Sequence, residues 1–150
     1  MDVAREGRGR RGRADRPPRV EYRRSMDAKS AAQAWVQAWS EGWAGHDADV
    51  IAARYAEDCE FRSHPFREPL LGREGARTYV EEAFAEERSA VSSFREPILG
   101  RDGRAAVEYT ATITTTDGRT AALAGVTVLR FDEEGLVCEH RDYWATTEPN

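Results

Sequence analysis

The stretch VTVLRFDEEGLVCEHRDYW, Val126–Trp144, reads as a strand, a turn and a second strand. Asp132 to Gly135 turns the chain, and Leu136 to Thr146 runs on as the last strand. An extended strand sends alternate side chains to opposite faces. In CEHRDYW, one face carries Cys138, His140, Asp142 and Trp144, and the other Glu139, Arg141 and Tyr143. Neither face is the apolar stripe of an ordinary half-buried strand. Whichever face is inside, the strand buries polar chemistry for a reason.

The strand does not stand alone. Upstream, Arg119 to Phe131 pairs with Arg104 to Thr116 across Asp117-Gly118, a tight hairpin signal. Ser92 to Leu99 is a further strand, and Asp58 to Phe66 is the first, stopped by Pro65. Three helical segments precede or interrupt these strands. Asp27 caps a helix in which Ala31, Trp35, Trp39 and Trp43 recur every four residues on one face, and Gly45 ends it. Asp47 caps a short second helix with Val50, Ile51 and Tyr55 inward. GREGARTYVEEAFAEE forms the third, with Ala76, Tyr79, Val80, Ala83 and Phe84 on its apolar side. The order ααβαββββ is an α+β plan, with helices against one face of a curved antiparallel sheet.

The 150 residues suffice for one domain that encloses a small pocket. Charge is uneven. Residues 1–25 hold nine arginines against four acids, and residues 26–150 hold 13 basic against 23 acidic residues. The acidic folded part is a poor match for nucleic acid or anionic lipid. The Arg/Gly-rich head, 1–25, is expected to be disordered, with Met26 as an alternative start and 26–148 as the domain. No apolar run is long enough to span a bilayer, and no signal segment is evident, so a cytoplasmic location with Cys59 and Cys138 reduced is expected. Arginine outnumbers lysine 21 to 1, which reads as the codon bias of a high-GC bacterial genome.

AWVQAWSEGWAGHDADVIAARYAEDCEF, GREGARTYVEEAF and VTVLRFDEEGLVCEHRDYW together resemble the nuclear transport factor 2-like superfamily, in its SnoaL-like and ketosteroid isomerase-like branch. The likeness covers about residues 28 to 146. It implies a cone, a strongly bent sheet wrapped round its helices over a mostly apolar pocket. It implies that His140, Asp142 and Trp144 point into that cone, with Phe61 and Ser63 from the first strand and Gly125, Thr127 and Leu129 from the strand after the hairpin. Glu108, Thr110 and Thr112 are expected inside from the strand before it. Trp35, Trp39 and Tyr55 would form the wall, though a Trp stripe is more often plain core. The resemblance also implies a homodimer through the outer sheet face, with Arg141, Tyr143 and Val126 in the interface.

The family's steroid isomerase residues are not kept. The place of their catalytic carboxylate holds Ser63 or His64, their second acid falls on Thr127, and their helix-borne tyrosine falls near Ala38 or Trp39. The polyketide cyclases of the family use a pocket aspartate as base without a metal. On chemistry alone, Asp142 is the first candidate base, since desolvation in an apolar cone favours proton uptake by a carboxylate. His140 could fix that carboxylate or hold a proton, and Glu108 could be the partner acid or base. Thr110, Thr112 and Thr127 could place water or a carbonyl. His64, in the stiff SHPFREP loop, stands with Arg67 at the mouth. The competing reading is a satisfied polar network of His140, Asp142 and Glu108 with no catalysis. His140, Asp142 and His64 lack metal-site spacing, and neither metal nor cofactor is expected. The function so read is binding of a small apolar molecule, with cofactor-free isomerisation, cyclisation or hydration. The alternative is a ligand-binding or dimerisation module.

Overall fold

The computed structural model describes residues 27–148. The arginine-rich head and Met26 lie outside the described residues.

Helix α1, Ala28–Gly45, starts where the Asp27 carboxylate accepts the Ser30 N–H at 2.7 Å. It stops at His46, whose left-handed backbone, φ 50°, returns its N–H to the carbonyls of Gly42 and Trp43. Its buried face is the stripe of Ala31, Trp35, Trp39 and Trp43, one residue per turn. Asp47 caps α2, Ala48–Ala52. The chain then enters β1, Tyr55–Arg62, three residues before the charged Asp58, where sequence pattern places the strand. The exposed Glu57 and Asp58 sit at an irregularity that hides the alternation. Two-residue β2, Leu70–Leu71, leads into α3, Gly72–Glu86.

No loop separates α3 from β3, Glu87–Phe94. The expected strand from Ser92 to Leu99 is thus two, β3 and β4, Ile98–Leu99, with Pro97 between them. The long hairpin follows as β5, Arg104–Thr115, and β6, Thr120–Phe131, and β7, Val137–Thr146, closes the order. The sheet runs β2-β1-β7-β6-β5-β3, with β4 on the edge of β5. All pairings are antiparallel except β1 with β7, which is parallel, so the unclosed sheet is mixed. Helices packed into a curved sheet make this the α+β cone that the sequence implies. Among the described residues, no helix is long and apolar enough to cross a membrane.

The β5–β6 register corrects one expectation. Asp117-Gly118 as a two-residue turn would pair Thr116 with Arg119. Instead the Thr115 N–H bonds the Arg119 carbonyl at 2.8 Å and Thr114 faces Thr120. The loop therefore has three residues and ends on Gly118 in the left-handed region, φ 87°. The extra residue shifts pairing by one and reverses the face of every β5 side chain. Val107 pairs with Thr127 and Tyr109 with Gly125, so Ala105, Val107, Tyr109 and Ala111 are buried. Glu108, Thr110 and Thr112 point outward, and Glu108 faces Arg95 at 3.7 Å.

The inner face consists of cross-strand rows. Phe94, Tyr109, Gly125 and Trp144 form one, Val107, Thr127 and Asp142 the next, and Ala105, Leu129, His140 and Phe61 the third. At Gly125 the strands approach so closely that a Cβ would stand 2.6 Å from the Tyr143 carbonyl oxygen and 2.7 Å from the Trp144 Cβ. Gly125→Ala is expected to cost about 1–3 kcal/mol of stability by overpacking. Gly45, with nothing within 4 Å of a Cβ, is the control; Gly45→Ala should be neutral or stabilising by about 0.5 kcal/mol. Urea unfolding of both variants checks this, and a Gly125→Ala chain as stable as wild type would contradict the close approach.

Candidate functional site

The buried polar groups of the cone form one chain. The Tyr55 side chain is fully buried, and its hydroxyl accepts the indole N–H of Trp35 and of Trp39, each at 3.0 Å. Those donors are one helical turn apart on α1, which lets two indoles converge on one oxygen. A phenol oxygen has two lone pairs, and both are used. Its own hydrogen must therefore go to Nδ1 of His140, 2.9 Å away. Nδ1 is then an acceptor, so the ring carries its hydrogen on Nε2 and donates it to Oδ2 of Asp142 at 2.8 Å. Thr127, the cross-strand partner of Asp142, donates its hydroxyl to Oδ1 at 2.5 Å. Phe61, the partner of His140 on β1, stacks on the imidazole with ring centroids 3.9 Å apart. Neighbouring strands and one helix thus fix position, tautomer and ring plane of His140.

Asp142 and His140 reach the surface of a cavity of about 460 Å³. Its walls are Trp35, Trp39, Trp43, Phe84, Phe94 and Tyr109, with Trp144 and Arg67 on one side and Glu82, Glu86 and Glu87 on another. The volume suits a small organic ligand, and apolar walls with few polar groups are the usual make-up of such a site. Two phenols join Asp142 there. Burial, then the Asp142 charge, pushes the Tyr79 and Tyr109 hydroxyls above their ordinary range, so both keep their protons and can donate. Glu87 is a second buried carboxylate. Trp43 Nε1 donates to its Oε2 at 3.0 Å and reaches Oε1 at 3.3 Å. Burial raises its pKa against that bond.

The expected site residues divide. Trp35, Trp39, Thr127, His140, Asp142 and Trp144 line the cavity. Tyr55, Phe61 and Ser63 are buried behind it, where the Ser63 carbonyl accepts the Trp144 indole N–H at 2.6 Å. His64 lies against the edge of Trp144, outside the cavity wall. Glu108, Thr110 and Thr112 lie on the opposite face of the sheet, so the network contains no Glu108. Tyr109 and Glu87 escape the sequence reading, one through the register shift and the other because EERSA continues a helical pattern. Among the described residues, no three His, Cys, Asp or Glu side chains converge as a metal site would require. Cys59 and Cys138 are free thiols on the neighbouring strands β1 and β7, and burial pushes Cys59 up to about 11.

Helices followed by a curved, unclosed mixed sheet make the architecture of the nuclear transport factor 2-like superfamily. Residues 36–140 match the SnoaL-like domain, and the chain belongs to that family. No curated protein matches. Solved structures share the fold at low identity. RV0760c from Mycobacterium tuberculosis, solved in complex with estradiol-17beta-hemisuccinate, is 19% identical over 79% of this chain and 96% of its own, with a TM-score of 0.68. A computationally designed 17-OHP binder is 20% identical over 78% and 97%, with a TM-score of 0.67. A putative isomerase from Bacillus subtilis is 15% identical over 80% and 90%, with a TM-score of 0.69.

Tyr55→Phe would leave two indole donors and Nδ1 without partners and is expected to cost about 3 kcal/mol, with Thr127→Val costing about half of that. Chemical denaturation ranks the two, and equal losses would contradict the branched network. Glu87 gives a pH signature. Its folded pKa lies above the ordinary value of 4.5, so its contribution is fully present below that value and lost as pH rises through the folded pKa. The stability of wild type minus that of Glu87→Gln should therefore fall as pH rises through that window. A flat difference would contradict the burial of this carboxylate.

Proposed function

We propose that the cone binds a small, mostly apolar molecule and that Asp142 serves as a general base on it. The observation that carries this reading is the Asp142 carboxylate, held at the wall of an aromatic cavity by His140 and Thr127. Asp142 would take a proton from a carbon acid or a water. Tyr109 or Tyr79 would donate a hydrogen bond to the oxygen on which charge develops. His140 orients the carboxylate and Tyr55 holds His140, so neither needs to leave its place during the reaction. Such proton transfer supports isomerisation, cyclisation or hydration without a cofactor. Fold relatives that hold steroid ligands make a flat polycyclic molecule the first substrate class to try.

A second reading, ligand carriage without chemistry, rests on a different detail. Both oxygens of Asp142 already accept a hydrogen bond. One set of experiments separates the two. A thermal-shift screen of the full chain against sterols, apolar ketones, lactones and epoxides should produce a hit. At 100 times its dissociation constant a ligand adds about 2.7 kcal/mol. Turnover of that ligand should then fall about a hundredfold or more in Asp142→Asn, while binding persists. Undiminished turnover removes Asp142 as base, and binding with no turnover in wild type favours the carrier.

The partner reading is a homodimer through the outer sheet face. The outward threonines support it. Thr110, Thr112, Ala122, Ala124 and Val126 are small or β-branched, and with Val91 and Tyr143 they make a partly apolar surface. Light scattering after size-exclusion chromatography should give twice the chain mass, and Tyr143→Glu should halve it. A monomeric wild type would remove the proposal.

A further inference from the structure

The ligand's polar end follows from the other carboxylate in the cavity, and this step rests on the reading of the cone as a small-molecule site. Glu87 lies where α3 passes into β3 without a loop, which drives its side chain between α1 and the cavity. Its side chain is 9% exposed. Trp43 donates its hydrogen bond, and His46 Nε2, whose ring stacks on Phe84, stands 3.4 Å from Oε2, an ion-pair contact when the imidazole is protonated. A carboxylate can accept about four hydrogen bonds, so Glu87 has acceptor capacity to spare. The surroundings favour a positive donor. Trp39 and Trp43 stand with ring centroids 6.0 Å apart, and Trp43 and Tyr109 6.4 Å apart, and their π-faces attract cations. The residues lining the cavity include four acids, the buried Asp142, the part-buried Glu87 and the exposed Glu82 and Glu86, against one arginine, Arg67, whose guanidinium lies over Trp144.

We infer that the cavity selects an apolar ligand carrying a protonated amine, with the ammonium seated between the Glu87 carboxylate and the Trp43 and Tyr109 rings, and the apolar body reaching toward Asp142. Glu87 is then a specificity residue and Asp142 the reacting group. Both stations line one cavity of about 460 Å³, a volume that suits an amine on one or two rings. An ammonium there also offsets the burial that makes the Glu87 charge costly.

The test uses three probes with one apolar body: naphthalen-2-ylmethanamine, naphthalen-2-ylmethanol and 2-naphthoate. Calorimetric titration of the full chain at neutral pH should rank amine over alcohol by about tenfold, with the carboxylate weakest. In Glu87→Gln the amine should fall to the level of the alcohol. The alcohol's own affinity should stay within about threefold, which also reports that the variant's cavity is folded. Alcohol binding as tight as amine in wild type, or an amine preference that survives in Glu87→Gln, overturns the inference and leaves the cavity a binding site. Failure of all three probes to bind overturns the inference together with the reading on which it rests.

Discussion

The hydroxyl of Tyr55 is the point on which the inside of the cone depends. It is one oxygen, fully buried, with three hydrogen-bonding neighbours from α1 and β7. A buried polar group without partners costs about 1–3 kcal/mol. Two indoles, one phenol and one imidazole therefore satisfy one another or none is tolerated. The arrangement has one proton order. The indoles occupy the lone pairs of the phenol, the phenol proton goes to Nδ1, and Nε2 faces Asp142 as donor. A feature that belongs to packing thereby sets the chemistry two bonds further on.

The network lies between packed side chains and the cavity. On one side of His140 the space is filled by Phe61, stacked on its ring, and by Leu129, its cross-strand partner, both buried. On the other side, Tyr109, Thr127, Asp142 and Trp144 line the cavity. The cavity wall is aromatic and acidic, and two of its carboxylates, Asp142 and Glu87, are held by hydrogen bonds. Asp142 is braced by five other side chains, Thr127 and His140 directly and Tyr55, Trp35 and Trp39 in series. Glu87 has one firm donor. A braced carboxylate keeps its geometry through a reaction, whereas an under-coordinated one is suited to holding a ligand.

Much of this was legible without coordinates. The spacing of Trp35, Trp39 and Trp43 identified the buried face of α1, and Asp27 and Asp47 marked both helix starts by their capping chemistry. Alternation in CEHRDYW separated His140, Asp142 and Trp144 from Arg141 and Tyr143, and the buried set is the one that meets the cavity. Where sequence reading failed, it failed at junctions. Thr116-Asp117-Gly118 admits a two- or three-residue loop, and both suit Gly118. The difference is one residue of register, enough to exchange Tyr109 for Glu108 on the inner face. The α3–β3 junction failed because a run of glutamates continues a helix as readily as it ends one.

The sequence by itself determined the class of fold, the helix faces and the polar pair on the last strand, because periodicity and capping are local properties of the chain. The tertiary structure alone decided the partners of that pair. Tyr55 and His140 are 85 positions apart, and Trp43 and Glu87 44 apart. Hydrogen bonds between side chains depend on ångström-scale distances, which follow from strand register and the crossing of α1 over the sheet. No local pattern in the chain encodes them.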